Sequence, residues 1–162
     1  MKTRFVGMAL VVAGLVGGSA SQAAAQDGLQ VGASYDFFYR EFEENSAAGA
    51  HFDIAKSLGS WSAVGEIGFN SFDGATVSSY QGGIRYPFGA NASVRPFAQV
   101  TAGLWNCCDE NGFVLQPGGG VEFGSNPRFK YRAQIDYRWL RIGGEGYNGT
   151  RASAGVVFNL GQ

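Results

Sequence analysis

The chain has one histidine, His51, two residues before Asp53. A histidine beside a carboxylate, joined by a serine such as Ser34 or Ser79, would be the inventory of a hydroxyl nucleophile served by a general base. No local signature of a hydrolase surrounds these positions, and the plainer reading is a histidine hydrogen-bonded to a carboxylate. A second set is larger: Asp36, Asp53, Glu66, Glu122 and Asp136 against Arg85, Lys130, Arg132, Arg138 and Arg151. Groups of opposite sign in similar number are the raw material of ion pairs rather than of a metal site or a polyanion surface. Glu41, Glu43 and Glu44 form an acidic run that lacks the ligand pattern of a calcium loop, so it reads as solvated. Gly143-Gly144-Glu145-Gly146 reads as a turn, since a phosphate loop needs a strand before it and a helix after it. Cys107 and Cys108 are adjacent and cannot staple distant segments. Without a His cluster they make no zinc site, which leaves two free thiols, a strained ring or a bond to another chain.

The elements that carry these residues are strands. From Phe129 to Leu140 the odd positions are Phe129, Tyr131, Ala133, Ile135, Tyr137 and Trp139, and the even ones are Lys130, Arg132, Gln134, Asp136 and Arg138. That period of two marks a β-strand with one aromatic face and one charged face. The same alternation recurs over Leu29–Tyr39, Gly49–Ser57, Trp61–Asn70, Thr76–Phe88, Ser93–Trp105, Phe113–Phe123 and Thr150–Leu160. Pro96 falls near the start of its strand, where a missing N–H does least harm, and Pro117 with the following glycines suits a bend. Between the strands lie turn-formers: Gly59-Ser60, Asp73-Gly74, Asn126-Pro127 and the glycines after Arg141. Eight strands of about ten residues joined by short turns predict an up-and-down antiparallel sheet, and closing it into a barrel removes both edges.

Length and composition agree. The chain has 162 residues, enough for one domain, with 26 glycines, 13 phenylalanines and 7 tyrosines. Lys2 and Arg4, the apolar run Phe5–Gly18 and Ala23-Ala24-Ala25 have the form of a secretory signal peptide cleaved after Ala25. The expected division is therefore residues 1–25 as signal peptide and 26–162 as the barrel. Taking Lys2 and Arg4 from the 12 basic residues leaves 10 against 13 acidic, a net charge of −3. That mild acidity argues against nucleic acid as a partner. No later apolar run is long enough for a spanning helix, so entry into a membrane would require a closed barrel.

Alternation leaves open which face is inside. A soluble, lipocalin-like barrel that binds an apolar ligand would turn the rings inward, whereas a membrane barrel turns them outward. An eight-stranded lumen is only wide enough for ordinary side chains, and so many rings would overfill it. The opposite face is rich in Gly, Ser and Gln, which fit a narrow interior, and its charges can pair. Rings near strand ends suit aromatic girdles: Tyr35, Phe37, Tyr39, Tyr86, Phe88, Trp105, Tyr137 and Trp139. The reading is all-β: an eight-stranded antiparallel up-and-down transmembrane β-barrel preceded by a signal peptide. Its lumen carries a charge network of Asp36, Asp53, Glu66, Arg85, Glu122, Arg132, Asp136, Arg138 and Arg151. Such a network is either a polar pore lining or a salt-bridged plug, and eight strands favour the plug.

Arg95–Gly103, Gln116–Gly124, Tyr131–Tyr137 and Ala152–Leu160 carry a resemblance that spans the expected mature chain. The sequence resembles the small outer-membrane β-barrel proteins of the OmpA/OmpX type. The resemblance implies outer-membrane lipid and the β-barrel assembly machinery as partners, no cofactor, and a structural, adhesive or narrow-channel role in the bacterial envelope without catalysis. Such barrels usually end on an aromatic residue, whereas here Phe158 is followed by Asn159, Leu160, Gly161 and Gln162. Some barrels of this size acylate or deacylate lipid A with a histidine near the outer rim, which keeps an enzyme using His51 as an alternative. With a periplasmic N-terminus, hairpin alternation puts Arg40–Ala48, Ser71–Ala75, Asn106–Gly112 and Arg141–Gly149 outside.

Overall fold

The computed structural model describes residues 28–40, 46–72, 75–88, 93–108 and 110–160. The expected signal peptide, the acidic run, Asp73-Gly74, the Tyr39 side chain and Gln162 lie outside what is described. Eight strands follow in order: β1 (Leu29–Arg40), β2 (Ser46–Leu58), β3 (Trp61–Phe72), β4 (Ala75–Pro87), β5 (Val94–Cys107), β6 (Glu110–Phe123), β7 (Phe129–Ile142) and β8 (Glu145–Asn159). Each pairs antiparallel with its successor, and β1 pairs with β8 to close the barrel. No edge is left for another chain to extend.

The strands run further into the hairpins than hydropathy indicates. Arg40 still belongs to β1 and β2 begins at Ser46, so Arg40 and Ser46–Ala48 of the expected Arg40–Ala48 loop are strand. Likewise β5 reaches Cys107, β6 starts at Glu110, and the loop expected over Arg141–Gly149 shrinks to a turn between Ile142 and Glu145. Gly143 and Gly144 both have positive φ there, the geometry of a two-residue turn whose twist matches the strands. Polar residues extend these hairpins because backbone pairing does not require an apolar side chain on either face. Pro117 lies inside β6, where the ladder to β7 lapses between Leu115↔Trp139 and Gly118↔Asp136. With no N–H to donate, it keeps only its register with Val100 on the β5 side.

The two faces separate by polarity. Tyr35, Phe37, Phe52, Ile84, Phe113, Tyr131 and Ile135 point outward and are exposed, Ile135 by 59 %. The interior holds Asp36, Glu66, Gln116, Arg132, Asp136 and Arg151. A lipocalin-like carrier needs an apolar interior, and this distribution is the reverse.

Glycine on the inner face makes room for the larger groups. A Cβ on Gly32 would stand 2.2 Å from Asp53 Oδ1, and one on Gly118 would stand 2.0 Å from Asp136 Oδ1. These glycines let carboxylates lie flat against the wall of a narrow lumen.

Candidate functional site

All nine residues of the charge network point into the lumen, where each is at most 5 % exposed. They come from seven of the eight strands and sort into two groups along the barrel. The first lies toward the end that carries both termini. Arg132 donates to Asp53 Oδ1 at 2.6 Å and to Glu122 Oε1 at 2.7 Å. Arg85 donates to Asp53 Oδ2 at 3.2 Å and to Gln99 Oε1 at 2.8 Å. Two guanidinium groups thus face two carboxylates, and the group is neutral.

The second group is centred on Arg151, which is fully buried. It holds Glu66 by two hydrogen bonds, at 2.6 and 3.2 Å, and meets Asp136 Oδ2 at 2.7 Å. Asp36 stands 3.6 Å away and accepts from His51 Nδ1 at 2.6 Å. Arg138 donates to Gln116, which also takes a bond from Gln81, and Thr101 donates to Gln81. Gln134 reaches both oxygens of Asp136. Charge pairs of this kind survive burial where donors meet the carboxylates. Asp53, Glu66, Glu122 and Asp136 each take two or more hydrogen bonds, while Asp36 takes one and its Oδ2 has none among the described residues.

The partner of His51 is Asp36, not the nearby Asp53. Asp53 and His51 share the inner face of β2 but point to different groups. The register brings His51 opposite Ser34 on β1 and Gly68 on β3, with Ser79 next to Gly68 on β4. Asp36, His51 and Ser79 therefore lie in one row, but His51 Nε2 and Ser79 Oγ have no hydrogen-bond partner among the described residues, so the row is not joined as a nucleophile system. They lie midway along the lumen rather than at a rim, and none is more than 1 % exposed. A nucleophile has to meet its substrate, and these groups are sealed on all sides. Among the described residues no group of histidine, cysteine, aspartate and glutamate is placed to hold a metal ion.

Among the described residues Phe97, Trp105 and Tyr147 turn toward the interior. Phe97 is buried, with Arg85 4.9 Å and Arg132 5.5 Å from its ring centre, so both cations of the first group rest against this one ring. Trp105, expected in a girdle, shares the parity of Phe97 and turns inward. There it packs with Ile142 and Tyr147 on buried Val114 and Leu140. This apolar cluster lies at the end opposite the termini. Lys130 is half-buried near the termini. Gln81, Gln99, Gln116 and Gln134, which stitch the groups together, were not singled out by charge; the period of two alone places them inside.

Comparison with solved structures bears on the architecture. Neisserial surface protein A (NspA) superposes with a TM-score of 0.70 at 12 % identity, over 82 % of this chain and 96 % of that one. The fold is that of the small outer-membrane β-barrels. The N-terminal β-barrel domain of Pseudomonas aeruginosa OprF gives a TM-score of 0.59 at 15 % identity, over 83 % of this chain and 98 % of that one. The outer-membrane enzyme PagL gives 0.53 at 13 % identity, over 79 % and 97 %. No protein-family model and no curated protein matches the sequence. At these identities the likeness carries the architecture of an outer-membrane barrel and no residue role.

Proposed function

We propose that this chain is an outer-membrane β-barrel with a closed lumen, which serves a structural role in the envelope and neither conducts solutes nor catalyses a reaction. The observation that carries the reading is the inverted polarity of the cylinder. Ile135 is 59 % exposed while Arg151 is fully buried, an arrangement that water disfavours and hydrocarbon favours. Strands of 12 to 15 residues are about 40–50 Å long and, tilted near 45°, span about 28–35 Å, enough for an outer-membrane apolar band of about 25 Å. Rings gather toward both ends. Phe123, Phe129, Tyr131 and Phe158 touch edge-on or tilted near the termini, and Tyr137 meets Trp139 toward the opposite end. These are the places where amphipathic rings anchor a barrel at the two interfaces. Outer-membrane lipid is then the main partner, and the β-barrel assembly machinery inserts the chain.

Closure separates the structural role from a channel. Two charge groups fill the lumen, and the Trp105 cluster lies beyond them. The barrel purified in detergent is expected to shift its gel migration on heating and to give no unitary current steps in a planar bilayer. Reproducible current steps would establish a channel, and solubility without detergent would remove the membrane reading.

The inward turn of Trp105 gives an independent check. In vesicles of brominated lipid, a variant retaining only Trp139 is expected to be strongly quenched, because that ring is exposed on the outer face. A variant retaining only Trp105 is expected to keep most of its emission. Equal quenching of the two would place Trp105 in lipid. The free thiols report on topology: Cys108 is exposed at a hairpin tip and is expected to react with an impermeant maleimide on intact cells. Cys107, whose thiol is pushed up to about 11 by burial and then by its contact with Cys108, is a poor nucleophile at neutral pH.

A further inference from the structure

The geometry points to a binding site for a small oxyanion, a carboxylate or phosphate, in the mouth of the barrel that carries the termini. A cavity of about 150 Å³ opens there, lined by Gln30, Ser57, Ser62, Arg85, Arg95 and Glu122. Phe97 forms part of its wall. A cavity of about this volume accommodates a benzene-sized guest, so phosphate or acetate fits and a nucleotide does not.

The charge of the wall selects the guest. The adjoining group of Arg85, Arg132, Asp53 and Glu122 is neutral by itself, and Arg95 adds a positive charge to it. Arg95 faces Glu122 directly across the β5–β6 register, yet Glu122 is taken by Arg132 at 2.7 Å. Among the described residues no ion pair engages Arg95. Arg85 is 4 % exposed, and two of its three nitrogens are used: Nε by Gln99 and Nη2 by Asp53. Its Nη1 has no hydrogen-bond acceptor among the described residues and stands 3.8 Å from Glu122. A buried donor without an acceptor is costly. Two guanidinium groups with the Ser57 and Ser62 hydroxyls form a donor-rich wall, the chemistry that recognises a planar or tetrahedral oxyanion. The charged group and Phe97 close the cavity on the lumen side, so the anion is held at the mouth and not passed through. The wall itself does not depend on a membrane; only the assignment of this mouth to the periplasm rests on the function proposed above.

The test uses the mature protein in uncharged maltoside micelles, where only the added probe supplies an oxyanion. Inorganic phosphate and acetate are titrated separately at fixed ionic strength, and the Nε–Hε resonances of the arginines are followed by NMR. Saturable shifts at Arg85 and Arg95 with either probe are expected. Arg95→Gln is expected to weaken binding about tenfold or more, while Arg141→Gln, on the exposed face at the far end, leaves it unchanged. Heat-modifiable migration of each variant confirms that the barrel is intact. No saturable shift with either probe, or unchanged affinity in Arg95→Gln, overturns the proposal. Because conductance and gel migration are read separately, loss of the anion site leaves the closed-barrel reading standing.

Discussion

Arg151→Met is expected to cost about 3–5 kcal/mol of stability, or to prevent folding outright. The side chain is fully buried and is the shared partner of Glu66 and Asp136, with Asp36 3.6 Å away. Methionine keeps much of the volume and removes every donor. Glu66 and Asp136 are then left as buried carboxylates with their main cation gone. Asp36 keeps His51, so the loss concentrates on the other two. The penalty belongs to the orphaned charges more than to the missing attraction, which makes a second expectation separable from the first. The triple variant Arg151→Met, Glu66→Gln, Asp136→Asn removes the charges together and is expected to recover most of the loss. Urea titration followed by the heat-dependent gel shift measures wild type and both variants. A single variant within about 1 kcal/mol of wild type would show that the lumen is wet enough to solvate these carboxylates, and the plug would lose its physical basis.

Gly83→Ala and Gly82→Ala form the second contrast, with neighbours in sequence expected to behave oppositely. Gly83 points inward on β4, and a Cβ there would lie 1.9 Å from the backbone oxygen of Val100. Backbone cannot swing aside as a flexible side chain can, so the β4–β5 seam must open. A loss of about 1–3 kcal/mol or more is expected. Gly103 presents the same obstacle from the other strand, at 1.9 Å from Tyr80 O. Gly82 points outward with its nearest atom at 3.9 Å. Alanine is expected to be neutral there or slightly stabilising, since it narrows the unfolded ensemble. Unfolding midpoints in the same urea assay decide the matter. Equal effects at the two positions would mean that the seam is looser than these distances require.

Much of the architecture is legible along the chain because alternation is local. Tyr131, Arg132, Ala133 and Gln134 must point to opposite faces whatever else the protein does. The same parity carries Phe97 and Trp105 to the inner face, against the habit of assigning every ring to the outside. Trp105 was misplaced by hydropathy for that reason: its position near a strand end counted for more than its odd number beside Phe97, Gln99 and Thr101. The hairpin lengths were underestimated for a related cause. Ser46, Glu110 and Glu145 are polar, yet each begins a strand, since main-chain hydrogen bonds are blind to the side chain.

What the linear order could not supply is the choice of partners. His51 lies two residues from Asp53 and fifteen from Asp36, and it binds Asp36. Arg151 finds Glu66 across 85 residues, and Arg132 finds Asp53 across 79. Those choices follow from register and from the closure of β1 on β8, which set the height of each side chain in the cylinder. The orphaned Nη1 of Arg85 and the cavity beside Arg95 arise in the same way. The amino-acid sequence by itself determined eight strands and the polarity of their two faces, because a two-residue period needs no distant contact. Only the tertiary structure decided which charges meet, because long side chains from seven strands compete there for one narrow space.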